Sequence, residues 1–304
     1  MPHHHFRYPT IIKKNGKYDL YLGIDSAQKG KTIYLKNIKL PIKKKDILNH
    51  KKSIITKGLT AHNFTAFYSK NNELFGIGGE IKNQKPFNEF PNDSGVYLFK
   101  FIDDKWIKMT IPIISINNCP KNPILSIEEK APLFDSNICC FYSKIINKYL
   151  LFCRANVKRA CRTMQVTTSN DLFKWEPFKI LNINTFKPGN NNYMFKCIEI
   201  YKKKIFFGLT PYSSSNLNPK EYHIKKLISY DSINWIDFGI LNKCDIADDF
   251  IHLNVHVAEI FFDNNTLEII LAKNIYNNEP KIKKYEFKYD NKNKFEDFIK
   301  LIKI

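Results

Sequence analysis

Apolar and polar positions alternate along this chain in short runs, and no stretch sustains the period of a long amphipathic helix. The segment from Phe134 to Trp175 shows the pattern most fully. Runs of β-branched and aromatic residues occupy about 138–143, 148–153, 162–168 and 175–181, each closed by turn or polar residues, and they predict four strands in succession. A basic loop ending at Arg162 is expected between the second and third. The stretch 295–302 reads as a short helix or a last strand.

The unit recurs. Ala66-Phe67-Tyr68-Ser69-Lys70 nearly repeats Cys140-Phe141-Tyr142-Ser143-Lys144. Ser169-Asn170-Asp171 with Trp175 returns as Ser229-Tyr230-Asp231 with Trp235, and Cys197-Ile198-Glu199-Ile200-Tyr201 as Val257-Ala258-Glu259-Ile260-Phe261. Self-similarity at this spacing, with four strands per unit, is the signature of a β-propeller. Units fall at about 60–115, 132–182, 191–242 and 253–300, and the runs at 18–22 and 32–35 supply strands of one more. The expected fold is all-β: a five-bladed β-propeller of four-stranded antiparallel blades, forming one domain over residues 1–304. A chain of 304 residues that is 43% hydrophobic has enough apolar surface for such a core.

The net charge of +19 raises the question of nucleic acid. Of the 48 basic residues only Arg7, Arg154, Arg159 and Arg162 are arginine. The rest are lysines scattered over turns, in a chain also heavy in Asn and Ile, the composition an AT-rich coding sequence produces. Phosphate and base readers favour the arginine fork, so neither nucleic acid nor a membrane is expected as a partner. Cys119, Cys139, Cys140, Cys153, Cys161, Cys197 and Cys244 are odd in number and lack a Cys-x-x-Cys pair, so they read as free, buried thiols. With no apolar run in Met1-Pro2-His3-His4-His5-Phe6, a reducing, cytoplasmic location is expected. No residue set recommends a metal, and no cofactor is expected.

Candidate chemistry lies where the first strand of each unit begins, because in a propeller those strands line the axis. By the repeat register Asn63 matches Asn137 and His62 matches Ser136. The next unit offers Asn192 and Tyr193 there, and the last offers His256. Such residues converge into a polar pocket suited to sugar hydroxyls. Arg154 and Arg162, clustered in a lysine-using chain, suit an anionic group or the pocket's own carboxylates. Asp135 stands at a strand entrance, while Glu199 and Glu259 sit within apolar strands, where a glutamate is paired or functional. Opposed carboxylates are the machinery of glycoside hydrolysis. The Ser-x-Asp-x-x-x-Trp pattern reads instead as architecture, with its Asp and Ser bonding a turn backbone.

Phe134-Asp135-Ser136-Asn137, the run Lys148–Arg154, Arg162 and Ser169-x-Asp171-Leu172-Phe173-x-Trp175 resemble the five-bladed propeller glycosyl hydrolases of the arabinanase/xylosidase and invertase/levansucrase group. The resemblance implies that Asp135 is an orienting carboxylate and Glu199 the general acid. The group's first-blade Asp has no counterpart in Ala61-His62-Asn63-Phe64, although Asp25 is a possible substitute. The implied function is a carbohydrate-active propeller, a glycoside hydrolase working on an oligo- or polysaccharide in the axial funnel, an anionic one where the arginines take part. The alternatives are an inactive lectin-like or interaction-scaffold propeller, and a phosphorylase variant that needs one acid only.

Overall fold

The computed structural model describes residues 5–25, 30–57, 63–80, 95–115, 137–158, 161–186, 194–212, 223–241, 255–273 and 279–289. The chain opens with β1 (His5–Lys14), β2 (Lys17–Asp25) and β3 (Lys31–Ile38). A two-residue strand β4 (Ile42–Lys43) and a short helix α1 (Lys44–Asn49) intervene before β5 (Lys52–Lys57). The first blade is the sheet β1-β2-β3-β5. The second contains β6 (Phe64–Tyr68), β7 (Leu74–Glu80), β8 (Gly95–Ile102) and β10 (Ile114–Ser115), with β9 (Lys105–Lys108) also on β8. The third runs β11 (Cys139–Ser143), β12 (Lys148–Lys158), β13 (Cys161–Ser169) and β14 (Lys179–Ile180). The strand β15 (Asn182–Ile183) then adds in parallel to the outer edge of the fourth blade, whose own strands are β16 (Lys196–Ile200), β17 (Ile205–Tyr212), β18 (His223–Ser229) and β19 (Asn234–Ile240). The fifth is β20 (His256–Asp263), β21 (Thr266–Lys273) and β22 (Lys281–Lys288), completed by β4.

The five inner strands touch in the order β1, β6, β11, β16, β20 and back to β1, so the ring is closed. It is a five-bladed β-propeller, as the repeat implies. Period-two alternation explains the packing. Along β12, Tyr149, Leu151 and Cys153 face the second blade's cluster while Leu150 and Phe152 face the fourth blade's. Along β21, Leu267, Ile269 and Leu271 face the fourth blade and Ile270 and Ala272 the first. Each sheet is therefore apolar on both faces, and one core cluster fills each gap between blades. Glycines appear where an aromatic ring crosses the sheet: a Cβ on Gly208 would lie 2.7 Å from the Phe195 ring and 3.0 Å from that of Trp235.

Ser-x-Asp-x-x-x-Trp closes two blades in the same way. Ser169 Oγ accepts the amides of Asp171 and Leu172, Asp171 Oδ1 accepts those of Phe173 and Lys174, and Trp175 Nε1 donates to Leu172 O at 3.0 Å. The bonds repeat at Ser229, Asp231 and Trp235. Two boundaries differ from expectation. The basic loop before Arg162 is largely strand, because pairing continues through Asn156 and Arg162. The strand expected over 175–181 shrinks to β14, with Trp175 held by a lone bridge to Ser169. The stretch 295–302 lies outside the described residues.

Candidate functional site

Starts of inner strands meet starts, and ends meet ends. Asn137, before β11, donates from Nδ2 to Val257 O at the start of β20 (3.2 Å), whereas Ser143, ending β11, bonds Glu199 near the end of β16. The axis therefore has a first mouth at the strand starts and a second at the strand ends. Second-mouth connections are tight turns: Asn15-Gly16, Asp103-Asp104 and Asn264-Asn265 all have positive φ, which these residue types tolerate. At the first mouth the chain runs from Glu80 to Gly95, Ser115 to Cys139 and Tyr212 to His223 before the next strand. Long connections on a rigid ring are where a propeller carries specificity.

Four predicted contact residues are described at the first mouth. Asn63, fully buried, accepts Gly79 N–H at Oδ1 (2.9 Å) and so braces its own blade. Asn137 spans from the third blade to the fifth, and its buried Oδ1 has no partner among the described residues. His256 is buried beside the Tyr8 ring, with centroids 6.3 Å apart. Burial, then the Arg7 charge, lowers its pKa to about 3, so it is neutral at physiological pH. Arg154 is buried on β12, where its carbonyl accepts Gln165 Nε2 at 3.0 Å. His62, Asp135, Ser136, Asn192 and Tyr193 lie outside the described residues, as do the side chains of Arg162 and Asp25.

The two glutamates set together in the sequence reading are not equivalent. Glu199 is tied at the second mouth: its carboxylate accepts Ser143 Oγ and the amides of Lys144 (3.1 Å) and Ile145 (3.1 Å). It holds the β11–β12 turn against the fourth blade, the reason a glutamate tolerates an apolar strand there. Glu259 lies mid-channel, its Oε2 3.5 Å from Lys196 Nζ. Burial pushes its pKa up, and Lys196 offsets part of that. Lys196, with no exposed side-chain surface, also donates to Ile138 O at 3.1 Å. Sequence reasoning missed Lys196, Lys226 and Arg7. Lys196 and Lys226 are fully buried cations on β16 and β18, and their place beside apolar residues of those strands was the available signal.

A cavity of about 460 Å³ descends from the second mouth to Lys196 and Glu259, with Thr65, Cys139 and Cys197 beside them. Cys139, Cys140, Cys153 and Cys197 are free and buried. Among the described residues no group of three or more His, Cys, Asp or Glu side chains could hold a metal ion, and no helix is long and apolar enough to cross a membrane.

No protein-family model matches the sequence, and no curated protein does. Solved structures do match in fold. An N-acetylgalactosamine deacetylase from F. plautii, in complex with blood group B trisaccharide, superposes with TM-score 0.59 at 11% identity over 98% of this chain and 92% of that one. A thermostable family-43 glycoside hydrolase gives 0.56 at 9% identity over 95% and 91%. An α-L-arabinofuranosidase from Fusarium graminearum, in complex with an iminosugar inhibitor, gives 0.54 at 10% over 93% of each. The chain shares their fold, which is that of the group it resembles in sequence.

Proposed function

We propose that this chain is a carbohydrate-active propeller that seats a glycan in the first mouth. One observation carries the reading. Asn137 is anchored across the axis, yet its buried carbonyl oxygen has no partner among the described residues, and a buried acceptor left open is matched by a hydroxyl donor. Neutral His256 beside it both donates and accepts, as sugar hydroxyls require. The shared fold with proteins whose complexes hold a trisaccharide or an iminosugar supports the same reading.

Glycoside hydrolysis is the reaction this reading favours, with Asp135, which precedes Ser136 and Asn137 in the sequence, as its candidate carboxylate. Glu199 and Glu259 have other commitments, which favours glycan binding without turnover as the second reading. A panel of arabinan, xylan, fructan and uronate-bearing oligosaccharides separates the two. Sugar release that falls at least about 100-fold in Asp135→Asn supports hydrolysis. Saturable binding with no product supports the second reading. If no glycan binds, or if Asn137→Ala binds as well as the parent, the proposal is lost.

A further inference from the structure

We propose that the second mouth is a separate ligand site, built for a sugar acid. Its cavity, about 460 Å³, lies within the range of small-molecule sites, about 300–1,000 Å³. Aromatic side chains from four inner strands or their turns line it, among them Phe67, Tyr68, Tyr142 and Phe261. Tyr201 stands at the rim with 56% of its surface exposed. Rings around a cavity, partly buried in its wall and exposed at Tyr201, offer the flat apolar surface on which a pyranose ring stacks, with polar tips for its hydroxyls.

The floor supplies directional bonds. Lys196 Nζ donates to Ile138 O and to Glu259, which leaves one of its three protons. Glu259 Oε1 accepts the Ile260 amide and Oε2 accepts Lys196, so the carboxylate keeps further lone pairs. A ligand hydroxyl that donates to Glu259, whose side chain keeps 13% of its surface exposed, engages this floor while Lys196 holds the carboxylate from behind.

The rim sets the charge of the occupant. Three lysines line the cavity: Lys13, Lys144 and Lys196. Lys13 is paired with Glu268, and Lys196 with Glu259. Lys144 has no carboxylate partner among the described residues; its ammonium lies 5.8 Å from the centroid of the Tyr201 ring. The neighbouring Glu199 is saturated by Ser143 and two backbone amides. An anionic substituent completes Lys144, since the other two lysines already face carboxylates. A ring bearing hydroxyls and one carboxylate matches walls, floor and rim at once. This site stands apart from the first mouth, and its argument uses none of the residues proposed to hold the glycan there.

The test is calorimetric titration of the full chain with sodium glucuronate, with glucose as the neutral control. Expected is saturable binding in the millimolar range, weakened by salt, with glucose at least about fivefold weaker. Lys144→Ala and Tyr201→Ala each weaken glucuronate about tenfold, while Lys144→Arg retains it. Both side chains are at the surface, and circular dichroism confirms that the variants fold. Unchanged affinity in both alanine variants, equal binding of glucose, or no saturation by ~50 mM glucuronate overturns the proposal. Failure of the first-mouth reading shows elsewhere, in Asn137→Ala and Asp135→Asn with neutral glycans, so either reading can fail alone.

Discussion

Two residues show how the channel's interior is held. Lys196 and Glu259 form an ion pair at the floor of the cavity, Lys196 with no exposed side-chain surface and Glu259 with 13%. Removing one partner strands the other, which in buried pairs costs about 3–5 kcal/mol. Glu259→Gln should therefore lose about that much stability in urea denaturation, and Lys196→Met with Glu259→Leu should recover most of it. If Glu259→Gln is neutral, the pair does not hold this channel together. His256 makes a second, pH-dependent contribution. Its folded pKa is about 3, below the ordinary value of 6.5, so the unfolded chain takes a proton that the folded chain refuses. That stability is complete above pH ~6.5 and declines as pH falls toward 3, with a slope of at most about 1.4 kcal/mol per pH unit from this group. Comparing urea midpoints at pH 7 and pH 5 for the parent and His256→Gln checks it, since the variant should be markedly flatter. The sequence marked His256 through its repeat position, but only its burial in the closed ring, with the Arg7 charge nearby, explains why it stays neutral.

At the level of single elements, the closing turns were the most legible part. Ser-x-Asp-x-x-x-Trp is local chemistry, with every partner within six residues, and its hydrogen bonds are those expected of it. The amide of Lys174, with those of Phe173 and the Ser169 hydroxyl, holds the Asp171 carboxylate below the usual range. Asp171→Ala leaves two amides without their acceptor and should cost about 1–2 kcal/mol, read as a lower urea midpoint with unchanged slope. The glycine beneath the Phe195 ring was not legible. Gly208→Ala puts a methyl group 2.7 Å from that ring, and overpacking of this kind costs about 1–3 kcal/mol. A strand's sequence shows that glycine is present, but the ring it makes room for belongs to the blade's first strand, and only the register brings them together. The same reason accounts for the longer β12–β13 hairpin. Its basic, polar tip resembles a loop until each strand has the other to bond to.

The whole ring depends on a short segment. β4, only Ile42 and Lys43, leaves the first blade and completes the outer edge of the fifth by pairing with Ile282 and Lys281. Ile42 and Ile282 are both buried in the cluster between those blades. Ile42→Asp should release this latch. The expected result is loss of amide protection along β22 in hydrogen exchange before global unfolding, and protection that survives would mean the ring closes through its inner strands alone. By itself the sequence determined what is local or periodic: strands from alternation, turns from Asn, Asp and Gly, the blade count from the repeat, and the polar residues at the strand entrances. Such features need only neighbours in the chain, or the same pattern recurring. Tertiary structure alone decided what each glutamate meets. Glu199 and Glu259 occupy matching positions in the repeat, yet one meets Ser143 and a turn's amides and the other meets Lys196, partners about 60 residues away, brought in by adjacent blades. A carboxylate's role follows from the charge, donors and water around it, and those surroundings exist only once the ring has closed.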